Sequence, residues 1–157
     1  MVGSCVASPR RPSRGAAAVE FALIVPLLAL LLFGIISYGA MLSFRQTMSQ
    51  AAAEGARAAA VAPPHPSTPA VGAVAKASAA VAAALGAGFG CAEGVLSRDG
   101  ATVGSCLITA PTTCTPSNCP YVVTISYDYA GHPLVPRMPL VPMPRSLTYT
   151  ASAEGNA

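Results

Sequence analysis

The first 62 residues divide into an apolar stretch and a polar stretch that can form one continuous helix. Residues 21–44 contain no charged side chain, and a helix of that length covers roughly 36 Å, enough to cross a hydrocarbon layer of about 30 Å. Beyond residue 44, polar side chains alternate with alanines and no proline occurs before Pro63. We therefore predict a transmembrane helix over residues 16–44 and a polar helical extension over residues 45–62.

A second helix is predicted after the proline-rich stretch PPHPSTP, which ends the first one. Thr68 and Pro69 are suited to the cap and the first turn of a helix, and glycines at 86, 88 and 90 end it. Its apolar positions should form one stripe that packs on a sheet. The predicted stripe consists of Val71, Val74, Val81 and Leu85.

In the last third of the chain, apolar and polar residues alternate in a pattern typical of β-strands. Apolar and polar residues alternate over Tyr121–Tyr129 and Ser146–Ala153, and Thr102–Thr109 is a weaker third candidate. An antiparallel sheet of about three strands follows. The predicted fold is therefore a membrane-anchored α+β protein, in which residues 63–157 form a small extracytoplasmic α+β domain of one helix and this sheet.

The segment between the two clearest strands, residues 130–145, contains five prolines and repeats the sequence PLVP. It can be neither a helix nor an interior strand. One interpretation is an extended hairpin loop. The other is that its Leu, Val and Met side chains form a partner-binding surface.

Charge placement changes the first impression of a basic protein. The formal net charge is +3, but Arg10, Arg11 and Arg14 all lie in residues 1–15, which we interpret as a cytoplasmic leader. From Ala16 onward six Lys and Arg residues balance six Asp and Glu residues. No clustered basic surface remains for phosphate, so we expect no nucleic-acid partner. Arginines before the span place the N-terminus in the cytoplasm and the C-terminal domain outside the cell membrane.

Cysteines are divided by the apolar span in the same way. Cys5 precedes it, whereas the other four follow it in the distal domain: Cys91, Cys106, Cys114 and Cys119. An even number in a small domain predicts two disulfides formed in an oxidising compartment, with three possible connectivities. A zinc site is the alternative, but the spacing fits no paired CxxC pattern. We expect no metal and no cofactor.

One acidic residue lies at the edge of the apolar span. Glu20 is the fifth residue after Gly15, and a carboxylate inside a membrane helix costs about 2.5–3.5 kcal/mol unless it is partnered. Cleavage after Gly15 would create an amine at Ala16, one helical turn from Glu20, and the two charges could neutralise each other. In an assembly, Glu20 could instead reach a neighbouring subunit's amine. A charge merely tolerated at the headgroup interface is the alternative.

The run GAAAVEFALIVPLLALLLFGII, followed by AAAEGARAAAVA, resembles the TadE-like family of pilus-assembly pseudopilins. In that resemblance Gly15 precedes the cut, Ala16 is the new N-terminus, Glu20 is the acidic residue and Phe21 is its aromatic neighbour. The segments TISYDYAGHPLVP and SLTYTASA are similar in kind to the family's terminal strands. The resemblance implies a minor component of a tight-adherence (Flp-type) pilus system, processed by a prepilin peptidase. Its partners would be the membrane, that peptidase, other pilin-like subunits and pilus assembly proteins.

Other classes of function have weaker support from the sequence. There is no phosphate-binding loop, nucleophile elbow or paired carboxylate, so we expect the chain to be a substrate of an enzyme and not an enzyme. The apolar run is too long for an ordinary secretory signal peptide. The remaining alternative is an unprocessed, signal-anchored extracytoplasmic domain that binds cell-wall or secreted partners, which would need no cut at Gly15.

Overall fold

The computed structural model describes residues 14–62, 69–111, 120–136 and 142–155. Residues 1–13 of the predicted leader and the predicted cap Thr68 lie outside these ranges. The elements are α1 (Arg14–Ala60), α2 (Pro69–Leu85), β1 (Phe89–Ala92), β2 (Val95–Arg98), β3 (Ala101–Thr109), β4 (Pro120–Tyr127) and β5 (Leu147–Glu154). The chain divides into two compact units between Ile36 and Ser37, so α1 contributes to both.

In the second unit the strands form a five-stranded sheet in the order β1-β2-β3-β4-β5. Every neighbouring pair is antiparallel. The α+β class is confirmed, and the three predicted strands correspond to β3, β4 and β5. The predicted number of about three strands is wrong, because β1 and β2 were not recognised.

The two additional strands are short and are joined by tight turns. Each contains four residues, too few for alternation to stand out. The turns are centred on Glu93–Gly94 and Asp99–Gly100, and all four residues have positive φ, at 52°, 80°, 51° and 84°. Two-residue hairpin turns need this backbone conformation, and Asp-Gly is its strongest sequence signal. That dipeptide could have revealed the β2–β3 hairpin.

The core of the second unit lies between one face of the sheet and the two helices. The alternation predicted for β4 is confirmed, since Val123, Ile125 and Tyr127 are fully buried. From α1, Met48 is the largest side chain that is completely buried. The same cluster contains Leu96 of β2, so burial of apolar surface joins the helices to both halves of the sheet.

The buried stripe of α2 differs from the predicted one. Val71 is 64% exposed, whereas Ala73 and Ala77 are 1% and 0% exposed. Val81 and Leu85 are buried as predicted. The stripe therefore follows i, i+4 spacing from Ala73, because small side chains allow α2 to approach α1 closely where a valine would not fit.

The segment between β4 and β5 is an extended hairpin loop closed at its base. The Ala130 N–H donates to the Arg145 carbonyl at 2.9 Å, and the Tyr127 hydroxyl donates to the His132 carbonyl at 2.7 Å. Leu134 and Met143 are half-buried and pack against the core, so these two side chains contribute to the packing of the domain. Residues 137–141 lie outside the described ranges.

Candidate functional site

The residues predicted to be cut and neutralised lie together at the start of α1. Gly15 and Ala16 are in the first turn and Glu20 is in the second. Four residues advance a helix by about 6 Å and return to nearly the same face, so Ala16 and Glu20 are neighbours on one surface. All residues from 15 to 21 are exposed, and apart from Gly15, its two neighbours and the adjoining helix backbone, no described atom lies within 4 Å of a Cβ built on Gly15.

Glu20 is chemically isolated. It is the sole charged side chain between Gly15 and Phe44. Within the part of the chain that the structure describes, it has no hydrogen-bond partner and no ion pair. A carboxylate beside an apolar surface is stabilised by a positive partner, and the arrangement leaves this carboxylate available for one.

The apolar side chains that follow Glu20 are not buried by other described residues of the first unit. Phe21 and Leu23 are 71% and 74% exposed. The most apolar window of α1 has a mean hydropathy of 2.7, and none of it is buried. Helical residues 15–36 extend about 33 Å, so this part of α1 is long and apolar enough to span a membrane, consistent with single-pass anchoring.

The EGAR run near the end of α1 contributes to packing. Glu54 and Arg57 are exposed, while Gly55 and Ala56 are buried. A Cβ on Gly55 would lie 2.5 Å from Cγ2 of Val81 and 3.5 Å from the carbonyl oxygen of Ala77. Gly55 therefore permits the close contact between α1 and α2. Sequence reasoning matched this glycine to the family but did not identify its packing role.

The structure pairs two of the four predicted disulfide cysteines. Cys91 of β1 is bonded to Cys106 of β3, 15 residues later. Both are buried, at 8% and 2% exposure. The bond joins two strands that are separated in the sheet by β2. Cys114 and Cys119 lie outside the described residues.

A polar contact that sequence reasoning missed joins the helical extension to the last strand. Nε of Arg45 donates to the hydroxyl of Tyr149 at 2.7 Å. The two residues are 104 positions apart, and no local pattern connects them.

In residues 14–62, 69–111, 120–136 and 142–155, no group of three or more His, Cys, Asp or Glu side chains could hold a metal ion.

Comparison with known families finds a match at the start of the chain. Residues 15–57 match the sequence model of the family described as TadE-like protein. The match covers about a quarter of the chain and includes Gly15, Glu20 and the EGAR run, but not the sheet. No curated protein and no solved structure matches the chain. The resemblance predicted from the sequence is thus confirmed: over residues 15–57, this chain is similar to the TadE-like proteins.

Proposed function

We propose that this chain is a minor pseudopilin-like component of a tight-adherence type IV pilus or secretion assembly, cut after Gly15 by a prepilin peptidase. The observation that carries the proposal is the TadE-like match, which begins at Gly15 and contains Glu20 as the lone charge of the apolar stretch between Gly15 and Phe44. The family suggests a pilus-related component. Processing and the specific role are our inference.

The chemistry of the cut explains the spacing between Gly15 and Glu20. Hydrolysis of the Gly15–Ala16 peptide bond consumes one water and leaves a carboxylate on the released leader and an amine on Ala16. An α-amine has a pKa of about 8 and is mostly protonated at neutral pH. Its charge is unfavourable at the positive end of the helix dipole. Glu20, one turn away, offsets that cost and gains a partner for itself.

In an assembled structure the same two groups can act between subunits. The carboxylate of Glu20 is exposed on the helix surface, and an amine of a neighbouring copy or another pilin-like subunit could reach it. A charge pair in an apolar environment has a strict geometric requirement, because either charge left alone is costly. Such pairing would set the axial position of each subunit.

The proposed location is the cell membrane, with the N-terminus in the cytoplasm. Arg10, Arg11 and Arg14 precede the apolar span, as the positive-inside rule requires. The second unit would then lie outside, and the Cys91–Cys106 disulfide agrees with an oxidising compartment. In this proposal the chain is a substrate and an assembly component, and not an enzyme.

The decisive experiment is N-terminal sequencing of the protein isolated from membranes of cells with and without the peptidase. We expect Ala16 as the first residue when the peptidase is present, and an intact leader when it is absent. A Gly15→Val variant should retain the leader, because a bulky side chain then stands directly before the scissile bond. An intact leader on the unaltered protein in the presence of the peptidase would favour the unprocessed, anchored alternative.

A further inference from the structure

The first helix and the last strand run side by side in the second unit. Nε of Arg45 donates to the hydroxyl of Tyr149, and a Cβ on Gly155 would lie 3.2 Å from the carbonyl oxygen of Ala60. From Arg45 to Ala60 the helix advances about 22 Å, and from Tyr149 to Gly155 the strand advances about 20 Å. The two elements therefore run in the same direction.

Residues 37–44 of α1 and the β4–β5 loop consequently lie at the same end of the second unit. Tyr127, the last residue of β4, pairs with Leu147, the first residue of β5. The ring of Phe44 contacts the ring of Tyr127, with 4.9 Å between the centroids. The described parts of the loop, residues 128–136 and 142–146, extend from these two strand ends, and we call them the loop legs.

This end of the unit begins inside the uncharged run of α1. A hydrocarbon layer of about 30 Å takes about 20 helical residues, so a span that starts at Glu20 ends near residue 40. Ser37 and Met41 are 4% and 3% exposed. Met41 belongs to the core cluster against which Leu134 and Met143 of the loop legs pack. The second unit thus packs around α1 at the depth where the span would end.

The exposed side chains at this end suit the boundary between acyl chains and headgroups. Tyr38 and Leu42 are 51% and 41% exposed, and tyrosine is enriched at membrane interfaces. From residue 131 onward, the loop legs contain no Lys, Arg, Asp or Glu except Arg145. Arg45 and Arg145 are both exposed, and a guanidinium group binds phosphate well.

The acidic side chains at the same end are engaged within the unit. Asp128 accepts two backbone N–H groups of the loop, at 3.1 and 3.0 Å. Neighbouring strands are antiparallel, so β2 runs towards this end as β4 does, and Asp99, just after β2, lies 3.8 Å from Nε of Arg98. Together with Arg45 and Arg145, these charges leave the end of the unit positive.

We propose that this end of the second unit, formed by residues 37–45 and the loop legs, rests in the headgroup layer of the membrane. Its partner is therefore phospholipid: the apolar side chains lie against the upper acyl chains, and the two exposed arginines bind lipid phosphates. Met48, Ala52 and Ala56 of the polar extension are buried, so that segment belongs to the domain core and does not hold the domain away from the bilayer. The inference rests on the membrane location in the proposed function, but not on the cleavage of the leader.

Tryptophan quenching by brominated lipid tests the contact, because the chain contains no native tryptophan. Full-length Val135→Trp, at a half-buried position of a loop leg, is reconstituted in nanodiscs of phosphatidylcholine with or without bromine near the headgroup end of its acyl chains. We expect the bromine to quench most of the fluorescence. The matched control is Val61→Trp, at an exposed valine about 24 Å along α1 from Arg45, which should not be quenched.

A third variant separates this inference from membrane anchoring itself. Leu31→Trp places the probe at an exposed position of the apolar run, about 16 Å along the helix from Glu20, where lipid brominated near the chain ends should quench it. If it is quenched and Val135→Trp is not, anchoring stands and the headgroup contact is overturned. Equal quenching of Val135→Trp and Val61→Trp would overturn it as well. If Leu31→Trp is not quenched, the chain does not span the bilayer, and the contact fails with its membrane location.

The two arginines are tested with brominated phosphatidylglycerol in the same assay. Each arginine should enrich the anionic lipid around it by roughly fivefold, so this lipid should quench Val135→Trp more than the same fraction of brominated phosphatidylcholine. Adding Arg45→Gln and Arg145→Gln together should remove the difference. Arg57→Gln, at an exposed arginine about 18 Å further along α1, is the control and should preserve it. No difference between the lipids, or a difference that survives in the double variant, would overturn the assignment of lipid phosphates to these arginines.

Discussion

At the scale of single residues, the proposed function gives one side chain, Glu20, a part in both processing and assembly. It is exposed, unpartnered among the described residues, and surrounded by apolar side chains that face the same environment. An exposed carboxylate in water would need no explanation. A carboxylate at the edge of a helix that is long and apolar enough to span a membrane does need one, because in a membrane its charge would be costly without a partner.

Glu20→Ala should leave membrane insertion intact and impair assembly. The substitution makes the span more apolar, but it removes a charged interaction worth about 1.5–3 kcal/mol, so incorporation should fall by about ten- to a hundredfold. Quantifying the protein in membranes and in sheared pili or isolated complexes measures both effects. Glu54→Ala, an exposed acid on the same helix, is the matched control. Normal incorporation of the Glu20 variant would show that the carboxylate is only tolerated.

Two neighbouring tyrosines have hydroxyl groups in different situations. The Tyr127 hydroxyl donates to the His132 carbonyl, which holds the start of the β4–β5 loop. The Tyr129 hydroxyl is buried and has no hydrogen-bond partner among the described residues. Burial raises the pKa of Tyr129, and the proximity of Tyr127 raises it further.

Removing each hydroxyl should therefore have a different effect on stability. Tyr127→Phe should cost about 0.5–1.5 kcal/mol, the net value of a hydrogen bond, whereas Tyr129→Phe should be neutral or stabilising because it removes a desolvated polar group. Denaturant unfolding at pH 7 measures both. Because the folded pKa of Tyr129 is raised above the unfolded value of about 10, the free energy of unfolding falls as the pH rises from about 10 towards the folded pKa. Tyr129→Phe should then reduce the alkaline loss of stability. Equal destabilisation by both variants would refute this distinction.

At the scale of elements, the contact between α1 and α2 depends on small side chains. Ala59, Ala73 and Ala77 form one buried cluster, and Gly55 lies against Val81 and the backbone of Ala77. Interiors are packed tightly enough that an added side chain must displace its neighbours. A Cβ on Gly55 would come within 2.5 Å of Cγ2 of Val81, and this fully buried, β-branched side chain has few other rotamers available.

Gly55→Leu should destabilise the second unit by about 1–3 kcal/mol through overpacking, despite the better helix propensity of leucine. Ala53→Leu, at an exposed position two residues earlier, should stay within about 0.5 kcal/mol. Thermal unfolding of the detergent-solubilised, oxidised protein, followed by circular dichroism, compares them. If both variants melted with the unaltered protein, the close helix contact would be absent.

The elements differ in how far sequence patterns predict them. Strands β3–β5 have eight or nine residues, and their alternation is long enough to be recognised. Strands β1 and β2 depend on turn geometry at Glu93–Gly94 and Asp99–Gly100, a signal carried by residue pairs and not by periodicity. The first half of the predicted α2 stripe is wrong, because hydropathy favours valine over alanine whereas the helix contact favours the smaller side chain; its second half, Val81 and Leu85, is confirmed.

At the scale of the whole molecule, charges and cysteines divide at the same boundary. The arginines of the leader precede the apolar span, and the four cysteines of the distal domain follow it. Different physical constraints produce the two distributions, since one concerns insertion of a helix and the other the redox state of a compartment. Both predict that the second unit lies outside the cell membrane.

Thiol labelling of the unreduced mature chain, denatured to expose every side chain, should find no free cysteine. Cys91 and Cys106 are bonded to each other, and we expect Cys114 and Cys119 to form the second bridge. After reduction the same chain should label at four positions. Replacing Cys91 and Cys106 together by alanine should cost about 3 kcal/mol, as expected for a loop of 15 residues. Four reactive thiols before reduction would contradict both the bridges and the oxidising location.

The sequence by itself determined the apolar helix, the polar extension, the lone Glu20, the later strands and the resemblance to TadE-like proteins over the first helix. Each of these is local, because periodicity, charge and short motifs act over a few residues. Only the tertiary structure decided that Cys91 pairs with Cys106, why position 55 is glycine, that Arg45 meets Tyr149 and that β5 forms one edge of the sheet among the described residues. Those features join residues far apart in the chain, and their energies depend on distances that no local pattern contains.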